Sequence, residues 1–217
     1  MKPAPRMRRA PARGRQRGLA LFFALICMVA IMLASIVLVR SVDTATLISG
    51  NLAFQQNATR SADSGAEAAI VWLLTLQAAN SLKNVLIDPT HAFNIDAPTA
   101  GYYSSIDTTK SLTATSGTRF VWDATDSVGL AADSSGNTVR YIVQRMCRTA
   151  NVPVSDVTAK CLMSAATVDN NKQNILLPQE VCNGPGCPAA GQTPQIRITS
   201  RTTGPKNTLS YIQTFVY

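Results

Sequence analysis

Residues 19–39 read LALFFALICMVAIMLASIVLV, twenty-one positions with no charge and one strongly polar side chain, Ser35. No other feature limits the fold as strongly. In lipid, a run this apolar must satisfy its backbone groups internally, and a single segment does that as a helix. At about 1.5 Å per residue the run spans roughly 31 Å, close to the hydrocarbon thickness of a bilayer. A secretory signal has a shorter apolar core, about 7–15 residues, followed by a small-x-small cleavage site. Here the run is longer, and Arg40 and a helix-like pattern follow it. Length disfavours a cleaved secretory signal, and beside it two readings stand: an uncut anchor, or a segment trimmed at its basic end and kept.

Charge separates the leader from the rest. Lys2, Arg6, Arg8, Arg9, Arg13, Arg15 and Arg17 place seven positive charges and no acid in the first 17 residues. Without them the formal charge of +8 falls to 13 basic against 12 acidic side chains. The basic character therefore belongs to the leader, and nucleic-acid binding by the body is not expected. Lys and Arg beside an apolar span stay on the cytoplasmic side, which places the body outside. The low share of charged residues, 15%, suits an exported surface domain better than a cytosolic enzyme.

Gly18 stands between the last basic residue and the first apolar one. A prepilin peptidase cuts after a residue without a side chain at this kind of boundary, leaving the apolar helix as the new N-terminus. Beyond Arg40 there is no proline until Pro89, and apolar or small residues recur at Leu47, Phe54, Ala58, Ala62, Ala66, Ala69, Leu73 and Leu76. Steps of three and four keep one face of a helix apolar, while Gln55, Asn57, Arg60, Ser64 and Glu67 occupy the other. One helix from about Leu19 to about Lys83 is expected. Gly50 and Gly65 each weaken it by about 1 kcal/mol relative to Ala, and a division into two helices near residues 49–51 is the alternative.

Gly18 with its apolar helix, then SGN at 49–51, ADSGAEAA at 62–69 and WL at 72–73, resembles the N-terminal region of PilX-type minor pilins. The resemblance covers residues 18–74, about the first third of the chain. It implies a pilin-like α+β fold: a long N-terminal transmembrane and amphipathic helix packed on a C-terminal antiparallel sheet. It implies a leader, 1–18, removed by prepilin peptidase; a helix, 19–84, whose part 19–39 spans the membrane and then enters the pilus core; and an exported β-rich domain, 85–217. Carried onto this chain, cleavage falls between Gly18 and Leu19, and Leu19 is N-methylated. Partners are other minor and major pilins through the helix, with the inner membrane before assembly. Two features depart from major pilins. Their fifth mature residue is a Glu that pairs with a neighbour's terminal amine; here it is Phe23. Their helix-breaking proline is absent, with Arg40 near its place. A subunit without the carboxylate is a poor repeating unit and suits initiation at the tip.

After Lys83, Pro89 and Pro98 mark a connecting loop. Strands are expected at 118–122 (TRFVW), around 137–146 (NTVRYIVQRM), and in two alternating runs either side of Gly204, Pro205, Lys206 and Asn207, a hairpin signal. Cys147, Cys161, Cys182 and Cys187 lie in the exported part, where an even set favours two disulfides. Chain order suggests Cys147–Cys161 and Cys182–Cys187; other pairings and a four-cysteine zinc site are the rivals. Cys27, in the apolar run, is expected to be an unpaired apolar side chain.

Catalytic chemistry is hard to find. His91, the one histidine, sits in a proline-flanked loop without a nearby nucleophile and reads as a solvated residue. No nucleophile elbow, phosphate loop or paired histidine ligands occur. Residues 123–137 are rich in side-chain oxygens but lack the ligand order of a calcium loop, so a flexible inter-strand loop is expected. Asp63 and Glu67, one helical turn apart, read as a solvated or inter-subunit face. No cofactor, metal or enzymatic activity is expected. The function expected is that of a minor pilin supporting type IV pilus assembly, with adhesion, twitching motility or DNA uptake as consequences. The alternatives are a minor pseudopilin of a type II secretion system and an uncleaved, membrane-anchored periplasmic binding domain.

Overall fold

The computed structural model describes residues 17–114, 119–165, 182–189 and 191–217. The chain forms two compact units, Met1–Asn51 and Leu52–Tyr217. Helix α1, Arg17–Ala79, is shared by both and passes through Gly50 and Gly65 without interruption. It ends four residues before the expected Lys83, where turns begin.

In the first unit every large apolar side chain of residues 19–39 is exposed, from Leu19 at 58% to Val39 at 59%. Ser35 does not disturb the helix, because its hydroxyl donates back to the Ile31 and Met32 carbonyls, each at 2.9 Å.

The second unit is built on a mixed sheet of five strands: β1 (Tyr102–Tyr103), β2 (Val128–Gly129), β3 (Thr138–Arg145), β4 (Ile196–Thr203) and β5 (Leu209–Val216). The order is β1-β3-β4-β5, with β2 also on β3. Strands β3, β4 and β5 form an antiparallel meander, with Val143 opposite Ile198 and Ile198 opposite Thr214. The antiparallel sheet expected from the sequence forms through β2, β3, β4 and β5, and β1 adds a parallel pairing to β3. A strand was expected at 118–122, and the described residues 119–122 do not form one. Among its described residues Arg119 forms an isolated bridge with Ser111, and Phe120 is buried with Tyr103 and Ile142. Its apolar content serves to cover one sheet face, not to extend the ladder.

Alternation decides the faces. Tyr141, Val143 and Ile198 point to one side, where they pack with Ala66, Ala69 and Leu73 of α1. Ala58 and Ala62 are fully buried on the same stripe. Small side chains bring the helix backbone close to the sheet, and Gly65 marks the closest approach. A Cβ there would fall inside contact distance of Ser200 Oγ and 2.7 Å from Val139 Cγ1. The β4–β5 hairpin turns through Pro205–Asn207, with Lys206 and Asn207 both left-handed at φ 57° and 59° and Gly204 N donating to Thr208 O at 2.7 Å.

Candidate functional site

Gly18 and Leu19 lie in the first turn of α1. Backbone N–H groups of a first turn have no intrahelical partner, so few hydrogen bonds hold the peptide between them. Leu19 and Phe23 are both 58% exposed, and the Phe22 and Phe23 rings meet edge to face at 6.4 Å. Cys27 is unpaired and exposed. The first acidic residue of the helix is Asp43, so the whole apolar stretch presents no carboxylate to a neighbouring amine. By length and composition the helix can cross a membrane: an 18-residue window has mean hydropathy 3.0, none of it buried in the protein. This stretch is a candidate membrane anchor.

In the body the cysteines pair in chain order, Cys147 with Cys161 and Cys182 with Cys187. All four sulfurs a zinc site would need are thereby taken. Residues 123–137 are not a free loop. Asp126 and Ser127 are buried, and the Asp126 carboxylate accepts from Tyr103 Oη at 3.0 Å and Val121 N at 2.8 Å. Asp133 accepts from Ser61 Oγ at 2.5 Å, from Asn137 Nδ2 at 2.7 Å, and from the backbone of Ser135 and Asn137. Those donors, Ser61 first, hold its pKa down to about 2. Asp63 and Glu67 are exposed on α1.

His91 corrects the expectation of a solvated residue. It is fully buried beside Phe93, ring centroids 5.3 Å apart, and its Nδ1 accepts the Phe93 N–H at 3.1 Å. Its Nε2 has no partner among the described residues, and burial lowers its pKa. It caps the short helix Ala92–Asn94, which docks Phe93 against Trp72 and Tyr102.

The opposite face of the sheet carries a cluster the sequence reading passed over. Arg197, Thr199 and Arg201 of β4 lie across from Phe215, Gln213 and Tyr211 of β5. Arg197 Nη2 donates to Gln144 Oε1 of β3 at 2.6 Å, and Gln213 Nε2 to Thr199 Oγ1 at 3.3 Å. The Arg201 guanidinium sits 5.7 Å from the Trp122 ring, which meets Tyr211 at 5.9 Å. A cavity of about 300 Å³ opens there between Phe120, Trp122, Arg201, Leu209 and Tyr211, with no carboxylate among its lining residues. Among the described residues, three buried donors on this face have no acceptor: Gln144 Nε2, Arg197 Nε and Arg201 Nε. Desolvation lowers the Arg197 pKa with no acidic neighbour to oppose it. The alternation of arginines at 197 and 201 and aromatics at 211 and 215, with the hairpin between them, was the signal available in the sequence.

Scans against protein-family models, curated proteins and solved structures return no match to this chain.

Proposed function

We propose that this protein is a minor pilin, a structural subunit that supports or primes type IV pilus assembly at or near the tip. The observation that carries the reading is one uninterrupted helix with two different faces to satisfy. Residues 19–39 expose every large apolar side chain, while Ala58, Ala62, Ala66 and Ala69 are buried against the sheet. An apolar rod of this kind needs lipid or equivalent rods around it. The seven leader cations hold the N-terminus in the cytoplasm and send the body to the periplasm. Prepilin peptidase then cuts after Gly18, and Leu19 becomes the modified first residue. In the filament the helix exchanges lipid for other pilins, and Phe23, in place of a carboxylate, leaves a neighbour's amine unneutralised. The role is assembly, not catalysis; adhesion, twitching motility or DNA uptake follow from it.

The mature N-terminus tests this. Protein recovered from membranes should begin at Leu19 when peptidase is present. Gly18→Val should accumulate the form retaining all 18 leader residues. Wild-type protein that always begins at Met1 would instead identify an uncleaved anchored domain. Cleaved protein that copurifies with a secretion machine and never with pili would identify a type II pseudopilin.

A further inference from the structure

The short loop closed by Cys182 and Cys187 reads CNGPGC and holds the single Asn-Gly pair of the chain. Asn183 and Gly184 are both exposed. Neither the Asn183 carboxamide nor the Gly184 N–H has a hydrogen-bond partner among the described residues. The turn itself calls for glycine at 184. Its φ is 139°, where side chains are disfavoured, and its carbonyl accepts from Cys187 N at 3.2 Å across Pro185 and Gly186. With no side chain at 184, nothing shields that backbone nitrogen from the carboxamide one residue before it. Asn94 and Asn137 show the opposite arrangement. Both are buried, their Nδ2 groups donate to Val85 O and Asp133 Oδ2 respectively, and the β-branched Ile95 and Thr138 follow them.

We infer that Asn183 is a site of spontaneous deamidation, and that its isoaspartate product unseats the loop from residues 155–156. The Gly184 nitrogen gives its proton to hydroxide and attacks Asn183 Cγ. A C–N bond forms, the Cγ–Nδ2 bond breaks, and Nδ2 takes a proton from water and leaves as ammonia. The product is a five-membered succinimide, whose reacting atoms the chain itself holds together. Water then opens the ring at either carbonyl, leaving aspartate or, with the main chain rerouted through Cβ and Cγ, isoaspartate. Asparagine and water are consumed, a carboxylate and ammonia are produced, and nothing is oxidised or reduced. Each converted chain gains one negative charge, which takes the side chains beyond the leader from 13 basic and 12 acidic to an even balance. Isoaspartate also lengthens the loop by one carbon. Gly186 seats the loop so closely that an added Cβ would overlap the Ser155 carbonyl oxygen. A longer loop, still tied at Cys182 and Cys187, loses that seat.

The test ages the full, disulfide-bonded chain in detergent micelles at neutral and mildly alkaline pH, followed by isoelectric focusing and peptide mass mapping. An acidic species should accumulate, its change of NH2 to OH located at Asn183, at a rate that rises with hydroxide concentration. In water labelled with heavy oxygen, each event should bring in one labelled atom. Electron-transfer fragmentation should find isoaspartate beside aspartate. The rate in the folded chain should lie within about tenfold of that in urea, because nothing in the fold holds the carboxamide back. Asn183→Gln, which would have to close a six-membered ring, should stay unmodified over the same period. Asn183→Asp carries the charge without the longer chain. Faster exchange of the Ser155 and Asp156 amides, which donate to Leu86 O and Pro153 O, should therefore appear in aged wild type and not in fresh Asn183→Asp. A carboxamide that survives in the folded chain while urea-unfolded protein loses it would overturn the assignment. So would acidic species that map to other asparagines and leave Asn183 intact. Equal amide exchange in aged wild type and Asn183→Asp would overturn the loss of the seat.

Discussion

Arg145 is 1% exposed, and among the described residues no carboxylate is bonded to it. Its Nε donates to Ser104 O at 2.9 Å, one Nη to Asn94 Oδ1 and the other to Val152 O at 2.8 Å. Ser104 in turn donates to Asp96 through both its backbone N and its hydroxyl, so one guanidinium ties three loops to the end of β3. Arg145→Met fills much of the volume but strands those acceptors, and should cost about 3 kcal/mol, read as a lower urea midpoint at unchanged slope. His91 makes a different prediction. Its folded pKa lies below the ordinary 6.5, because burial penalises the charged form, with Lys83 and Arg145 adding to that and Asp88 opposing it. Above that ordinary value both folded and unfolded chains hold a neutral imidazole, and stability is unaffected. As pH falls below it, the unfolded chain takes up the proton first, so stability declines. It is the one histidine of the sequence, so the slope between about pH 6.5 and 5 should belong to it. His91→Asn keeps an acceptor for the Phe93 N–H and should flatten denaturation curves across that window. A slope that persists would show that another group titrates there.

At the scale of elements, what was legible followed period. Steps of three and four marked the buried face of α1 from Ala58 to Leu73, although Leu47 on the same pattern is 69% exposed, and alternation marked β3, β4 and β5, because each buries one continuous side. The run at 118–122 has the composition of a strand but uses Phe120 as a plug over Ile142. The place beside β3 goes to Tyr102–Tyr103, two residues within a proline-marked segment, in a parallel pairing that no local pattern encodes. His91 was misread for the same reason: its burial comes from distant elements closing over the loop. The outer-face cluster was half legible, since alternation alone puts Arg197 and Arg201 together, but Trp122 arrives from elsewhere in the chain. Gly50 and Gly65, both inside α1, looked equivalent in sequence and are not. Around Gly50 an added Cβ meets nothing within 4 Å, whereas at Gly65 it collides with Ser200 and Val139. Gly50→Ala should therefore raise stability by up to about 1 kcal/mol through helix propensity. Gly65→Ala gains the same propensity but overpacks the helix–sheet contact, typically a cost of about 1–3 kcal/mol, so the net change should be destabilising. Thermal unfolding of the two variants, measured side by side, should move in opposite directions.

The whole molecule joins an apolar rod suited to lipid with a body whose cross-links need an oxidising compartment, so its cysteines report where each part has been. Cys147 is fully buried at the end of β3 and closes a sequence separation of 14 to Cys161, while Cys182 and Cys187 close one of 5. By loop entropy the longer bridge contributes about 3 kcal/mol and the shorter about 2. Cys27 stands apart, exposed on a helix with no partner. Protein made in a cell that exports the body should therefore, when unfolded without reductant, take a single maleimide at Cys27. After reduction the same protein should take five, one for each cysteine in the sequence. Labelling at Cys147 or Cys161 before reduction would mean that the body had never left a reducing compartment, and the topology drawn from the leader charges would fall with it. A mass spectrum of the unfolded protein before and after reduction reads both counts, and the mass of the first species also reveals whether the eighteen leader residues have been removed. The one measurement thus tests export and trimming on a single chain, which no variant of either part does alone.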